Sequence, residues 1–90
     1  MTKVYYIISF KVEGQPVYFT TSNECSSGCA GGTTDIFKAK WYDDLKSAQK
    51  TLNHHIMKRD KYFIADGRYT DYKIREYTVE ITANKEMPND

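Results

Sequence analysis

Residues 35–56 read DIFKAKWYDDLKSAQKTLNHHI, and this stretch decides the fold. Trp41 and Tyr42 form a short aromatic, β-type step that runs into the carboxylate pair Asp43-Asp44. Asp43 is suited to cap a helix, and Asp44 in its first turn complements the positive helix end. Apolar residues then recur at helical spacing at Leu45, Ala48, Leu52 and Ile56. A helix with one apolar stripe needs a partner layer, and β-type runs at both ends of the chain can supply a sheet.

The first of those runs is residues 3–12, KVYYIISFKV. Strict alternation puts Val4, Tyr6, Ile8, Phe10 and Val12 on one face and Lys3, Tyr5, Ile7, Ser9 and Lys11 on the other. Glu13-Gly14-Gln15-Pro16 breaks the run, with Gly14 suited to a turn, and Val17 to Thr21 returns as a second strand. The two runs read as a hairpin. From Tyr69 to Ile81 the chain is strand-like again. Tyr77, Val79 and Ile81 share a face, but Ile74 falls on the opposite one. This phase slip at Arg75-Glu76 implies either a β-bulge or a strand covered on both sides.

Between these elements lie two less regular stretches. Thr34-Asp35 can open a helical turn through Ile36, Phe37 and Ala39. The main helix is expected to end near Arg59, with an irregular link after it. Gly67 could instead stop a helix that reaches Ala65, or Tyr62–Ala65 could be a short strand turned back at Asp66-Gly67. The expected class is α+β: a small antiparallel sheet of three to four strands against one amphipathic helix, in the order ββ-β-α-β, with the third strand at Trp41. Ninety residues make one domain, placed at 1–82, with the polar residues 83–90 as a frayed tail.

The lead-in Lys38-Ala39-Lys40-Trp41, followed by Leu45, Ala48 and Leu52, resembles small accessory proteins of phages from Gram-positive bacteria. Their layout is an N-terminal hairpin, an A-K-x-F/W step, one amphipathic helix and a closing strand. The resemblance covers about half the chain and rests on packing positions. It implies a protein without enzymatic activity, and some such proteins block host defence systems. No catalytic residue carries over, and the Cys-Gly loop departs from the layout.

Thirteen basic and twelve acidic side chains nearly cancel, but they are unevenly spread. Residues 1–37 carry −1, residues 38–75 carry +5 and residues 76–90 carry −3. The basic middle interleaves Lys58, Arg59, Lys61, Arg68, Lys73 and Arg75 with aromatics, a pattern able to hold phosphates and stack bases. Asp60, Asp66 and Asp71 weaken that field, so nucleic-acid binding is the second reading. The first is protein binding without catalysis, with Tyr5, Tyr18, Tyr62, Tyr69 and Tyr77 as anchors. A partner strand or a second copy could add to a sheet edge.

The loop 22–34 holds Cys25 and Cys29 in a C-x-x-x-C spacing. With His54 or His55 these could ligate zinc or form a nucleophile–base pair. Adjacent helical histidines point about 100° apart and cannot easily share one metal. No cofactor is expected, and the thiols read as free in a reducing cytoplasm. His55 is expected to be half-buried beside the apolar stripe, and His54 to face solvent. The glycines of this loop lack the G-K-[ST] ending of a phosphate loop. The run Val4–Phe10 is too short to span a bilayer, so no membrane contact is expected and the protein is placed in the cytoplasm.

Overall fold

The alternating residues 2–12 form β1 (Thr2–Val12), the central strand of the molecule. In the computed structural model, which describes residues 1–21 and 32–82, β1 turns back into β2 (Gln15–Phe19). Glu13 and Gly14 make the connection with φ of 51° and 84°. Two positive φ values in a two-residue loop are the mark of a type I′ turn, whose twist matches that of the flanking strands.

The four-stranded sheet has the order β3-β2-β1-β4, all pairs antiparallel, with β3 (Gly32–Thr33) beyond β2 and β4 (Tyr69–Glu80) on the other side of β1. The architecture is therefore the expected α+β sheet and helix. The third strand differs from the expectation: it is Gly32–Thr33, while Trp41-Tyr42 makes only an isolated bridge between Tyr42 and Tyr6. That bridge is closed by Tyr6 N–H to Tyr42 O at 2.7 Å and Tyr42 N–H to Tyr6 O at 2.9 Å. Its brevity has a use. Successive extended residues point to opposite sides, so Tyr42 joins the core under the helix while Trp41 meets Tyr5 on the other face.

Before this step, Asp35 caps a single 3-10 turn at Ile36–Lys38 by accepting from Phe37 N–H at 2.9 Å. The main helix starts one residue later than expected. Asp44, not Asp43, is the N-cap of α1 (Leu45–Thr51), accepting from Lys46 N–H and Ser47 N–H at 3.3 Å each. A π-helical segment, Leu52–Ile56, follows without a break and leads into α2 (Met57–Arg59). The sequence supplies a reason for the wide turn. Ala48, Leu52, Ile56 and Asp60 recur every four residues, and in a pure α-helix such a row drifts about 40° per step. Widening one turn keeps all four toward the sheet, where Ala48, Ile56 and Asp60 are buried. Leu45, the first residue of the stripe, is 40% exposed.

After Asp60 the link is helical, not irregular: α3 runs Lys61–Ala65. It stops at Gly67, φ 82°, with Gly67 N–H to Ile64 O at 3.2 Å and Arg68 N–H to Phe63 O at 3.0 Å. This pair of bonds is a Schellman ending, which needs a left-handed residue at the glycine position.

In β4, pairing with β1 is continuous from Thr2↔Glu80 to Ser9↔Lys73, so no bulge lies at Arg75-Glu76. Ile74 and Tyr77 simply serve opposite faces. The register slips further along, between Ser9/Lys73 and Lys11/Thr70, where Asp71 adopts φ 56°.

On the face under the helix, Ile8, Phe19, Ala48 and Ile56 form one buried cluster and Phe10 with Val17 another. Tyr72 joins both, stacking on Phe10 at 4.9 Å with planes 6° apart. A carboxylate tie closes this core. Asp60, 3% exposed, accepts from Arg59 Nε at 2.7 Å, Arg59 Nη2 at 3.0 Å and the Tyr72 hydroxyl at 2.7 Å. Burial, together with the hydrogen bond and charge of Asp60, pushes the Tyr72 hydroxyl well above the ordinary tyrosine range.

Candidate protein-binding surface

The face of the sheet away from the helix carries the odd-numbered residues of β1. Antiparallel register puts cross-strand partners on the same face, so Tyr5↔Tyr77, Ile7↔Arg75, Ser9↔Lys73 and Ser9↔Tyr18 all lie there. Three of the five predicted tyrosine anchors (Tyr5, Tyr18 and Tyr77) thus come together from separate segments, all half-buried. Two members of the predicted basic set, Lys73 and Arg75, lie among them and are exposed.

This far face has two halves. At one end Trp41 sits 5.2 Å from Tyr5 and is held there by its indole N–H, which donates to Ile36 O at 2.9 Å. Phe37, 83% exposed, lies 6.5 Å from Trp41 and extends the apolar rim. Lys3 stands over the Tyr5 ring at 5.1 Å and reaches Asp43 at 3.9 Å. At the other end a shallow depression of about 220 Å³ is lined by Lys11, Pro16, Tyr18, Lys73, Arg75 and Tyr77. Here Lys11 is paired with Asp71 at 3.3 Å. Among the described residues Lys73 and Arg75 make no ion pair. Burial, followed by the neighbouring Tyr18, raises the Tyr77 hydroxyl above its usual range, against the pull of Arg75.

The remaining predicted residues fall elsewhere. Tyr62, 75% exposed, is on α3 with the Lys61 ammonium 5.2 Å from its ring. Tyr69 is a packing residue, stacked on Phe63 at 4.8 Å and 5.6 Å from Phe10. Lys58, Arg59 and Lys61 belong to the helical segments that cover the other face. Arg59 is held by Asp60, and Arg68 pairs with Asp66 at 3.3 Å. The six predicted phosphate-binding cations are therefore divided between two sides of the molecule.

A second depression, of about 480 Å³, opens between the helix and β2 and includes Phe19, Tyr42, His55, Ile56 and Arg59. Its floor is core, and the guanidinium on its wall is occupied by Asp60. His55 is exposed like His54, contrary to the half-buried position expected of it. Cys25 and Cys29 lie outside the described residues, so the zinc and thiol readings have no geometry here. Among the described residues no three side chains of metal-binding type come together, and no helix is long and apolar enough to cross a membrane.

Compared with known proteins, the chain matches no family model, no curated protein and no solved structure.

The sequence marks Tyr5, Tyr18 and Tyr77 without placing them on one face, and it does not outright mark Trp41 and Phe37 as parts of the same surface. The signal for Trp41 was present. An extended pair of aromatics before a helix must send one ring to each side of the sheet.

Proposed function

We propose that the chain is a non-catalytic protein-binding module that meets its partner with the far face of the sheet. The observation that carries this reading is the convergence of Tyr5, Tyr18 and Tyr77 on one face, beside Arg75 and Lys73, which make no ion pair among the described residues. Tyrosine and arginine dominate the energetic centres of protein interfaces, because each offers large contact area with a polar tip. The depression between them is smaller than the several hundred Å³ typical of a small-molecule pocket, which favours a broad partner over a small one. Following the resemblance to phage accessory proteins, the reading extends to a host protein in the bacterial cytoplasm, inhibited by occlusion; a defence protein is the kind of target it implies.

The test is affinity capture from bacterial lysate after nuclease treatment, with the natural chain and with Tyr18→Ser combined with Tyr77→Ser. One stoichiometric protein held by the natural chain, and lost by a variant with an unchanged circular dichroism spectrum, is the expected result. Capture that disappears with nuclease would instead favour the second reading, in which the tyrosines stack bases and Lys73 and Arg75 hold phosphates. That reading carries its own signature, an affinity that falls steeply as salt rises.

A further inference from the structure

Among the described residues β4 is the outer strand of the sheet, bonded on one side only. Which of its main-chain groups face outward follows from one pair. Met1 and Ile81 exchange both hydrogen bonds, Met1 N–H to Ile81 O at 3.1 Å and Ile81 N–H to Met1 O at 2.7 Å. Hydrogen-bonded pairs recur at every second residue of an antiparallel ladder, so Val79, Tyr77, Arg75 and Lys73 also bond inward to β1. Both main-chain groups of Ile74, Glu76, Thr78 and Glu80 therefore point away from the sheet. Among the described residues nothing pairs with them.

Such an edge is a template for another strand, and charged side chains restrict which strand it accepts. The pattern here is definite. Lys73 and Arg75 flank the edge on the far face, followed by Tyr77 and Val79, while Glu76 and Glu80 flank it on the helical side. A second copy pairs poorly about a two-fold at Arg75 or Glu76, where like charges stand directly opposite and repel. A two-fold at Tyr77 escapes that repulsion, and protection that rises with protein concentration would reveal it.

We infer that the outer edge of β4 accepts an extended segment of a partner protein as an antiparallel fifth strand, with acidic side chains at alternate positions opposite Lys73 and Arg75. Apolar side chains of the incoming strand lie opposite Tyr77 and Val79, and a basic one opposite Glu76. Main-chain bonds to Ile74, Glu76 and Thr78 hold the strand, and the alternate charges set its register. This assignment rests on the protein-binding reading above and names the chemistry of the partner.

The probe is a terminally blocked peptide, Thr-Val-Thr-Val-Lys-Glu-Val-Glu, whose antiparallel register places its two glutamates opposite Arg75 and Lys73. A control peptide carries lysine in place of both glutamates. Amide hydrogen exchange of the isotope-labelled chain, followed by NMR, reads the edge directly. In the free protein the amides of Ile74, Glu76 and Thr78 exchange fast while those of Arg75, Tyr77 and Val79 are protected by β1. At saturation the acidic peptide slows the three outward amides by about tenfold or more. The control does not, and Lys73→Glu with Arg75→Glu reverses the preference. The assignment is overturned if the peptide binds without slowing those amides, or if both peptides slow them equally. It is also overturned if the amides are already protected in proportion to protein concentration, which would give the edge to a second copy. Displacement of the peptide from Lys73 and Arg75 by a single-stranded oligonucleotide at comparable concentration would overturn it as well. None of these outcomes touches lysate capture through Tyr18 and Tyr77. A natural chain that captures no protein, with edge protection by the peptide intact, would count against the far-face reading alone.

Discussion

The two faces of β1 use the same strand for opposite ends. On the helical side, Ile8 and Phe10 are closed off by helix and aromatic rings, and the charged group that enters, Asp60, is met by three donor groups. On the far side, Tyr5 and Ser9 border tyrosines and cations that carry fewer internal partners. The far face is closed only in part: Ile7 is buried there at 1% exposure, while Lys73 and Arg75 stay exposed. Side chains alternate across a strand, so neighbouring residues of β1 are separated onto two faces of different finish.

That separation can be broken by substitution. The largest effect is expected from Phe10→Ala, which removes a 1%-exposed ring stacked on Tyr72 and should cost about 4 kcal/mol in urea unfolding. A loss of that size consumes much of the stability of a small domain. Asp60→Ala comes next, at about 2–3 kcal/mol, since it strands the Tyr72 hydroxyl and the Arg59 guanidinium. Arg59 is partly exposed, and hydration of its head keeps the figure below that of a fully buried pair.

Tyr72→Phe keeps the ring and removes the hydroxyl, and should cost about 1 kcal/mol at neutral pH. Its effect also has a pH signature. The folded-state pKa of Tyr72 is raised, so the contribution is fully present below the unfolded tyrosine value of about 10 and is lost as pH climbs above it. Urea midpoints of the natural chain and Tyr72→Phe should therefore converge between about pH 9 and 11. Divergence there would mean that the hydroxyl is not held protonated by the fold. The smallest effect is expected on the far face: Lys73→Ser with Arg75→Ser should change stability by no more than about 0.5 kcal/mol. A loss matching that of Asp60→Ala would show that the far face is structural too, and the contrast between the faces would fail.

Much of the helical face was legible beforehand. The even residues of β1 and the row Ala48, Leu52, Ile56 are periodic, and period is a local property that sequence displays. Asp35 as the opener of a short turn was legible for the same reason. Gly32–Thr33 was not, because two small residues have no pattern of their own and become a strand only by meeting Tyr18 and Phe19. The tie between Asp60 and Tyr72 joins residues twelve apart through the packing of two elements, so nothing local announces it. The candidate surface on the far face was half legible. Its tyrosines were named individually, but their grouping depends on the register Tyr5↔Tyr77, which is a tertiary fact. Of the two readings of the phase slip at Arg75-Glu76, the two-sided strand is the one realised, and the register shift lies instead at Asp71, which no out-of-phase apolar residue marks.

The wide turn at Leu52–Ile56 has the arithmetic of an inserted residue. Twelve α-helical steps from Ala48 would leave Asp60 about 120° off line, whereas eleven leave it about 20° off. Keeping every position but forcing the turn into α geometry would therefore swing Asp60 away from Tyr72, while excising one position lets the turn close with Asp60 still toward the sheet. The wide turn is therefore what reconciles a helix of this length with the tie between Asp60 and Tyr72.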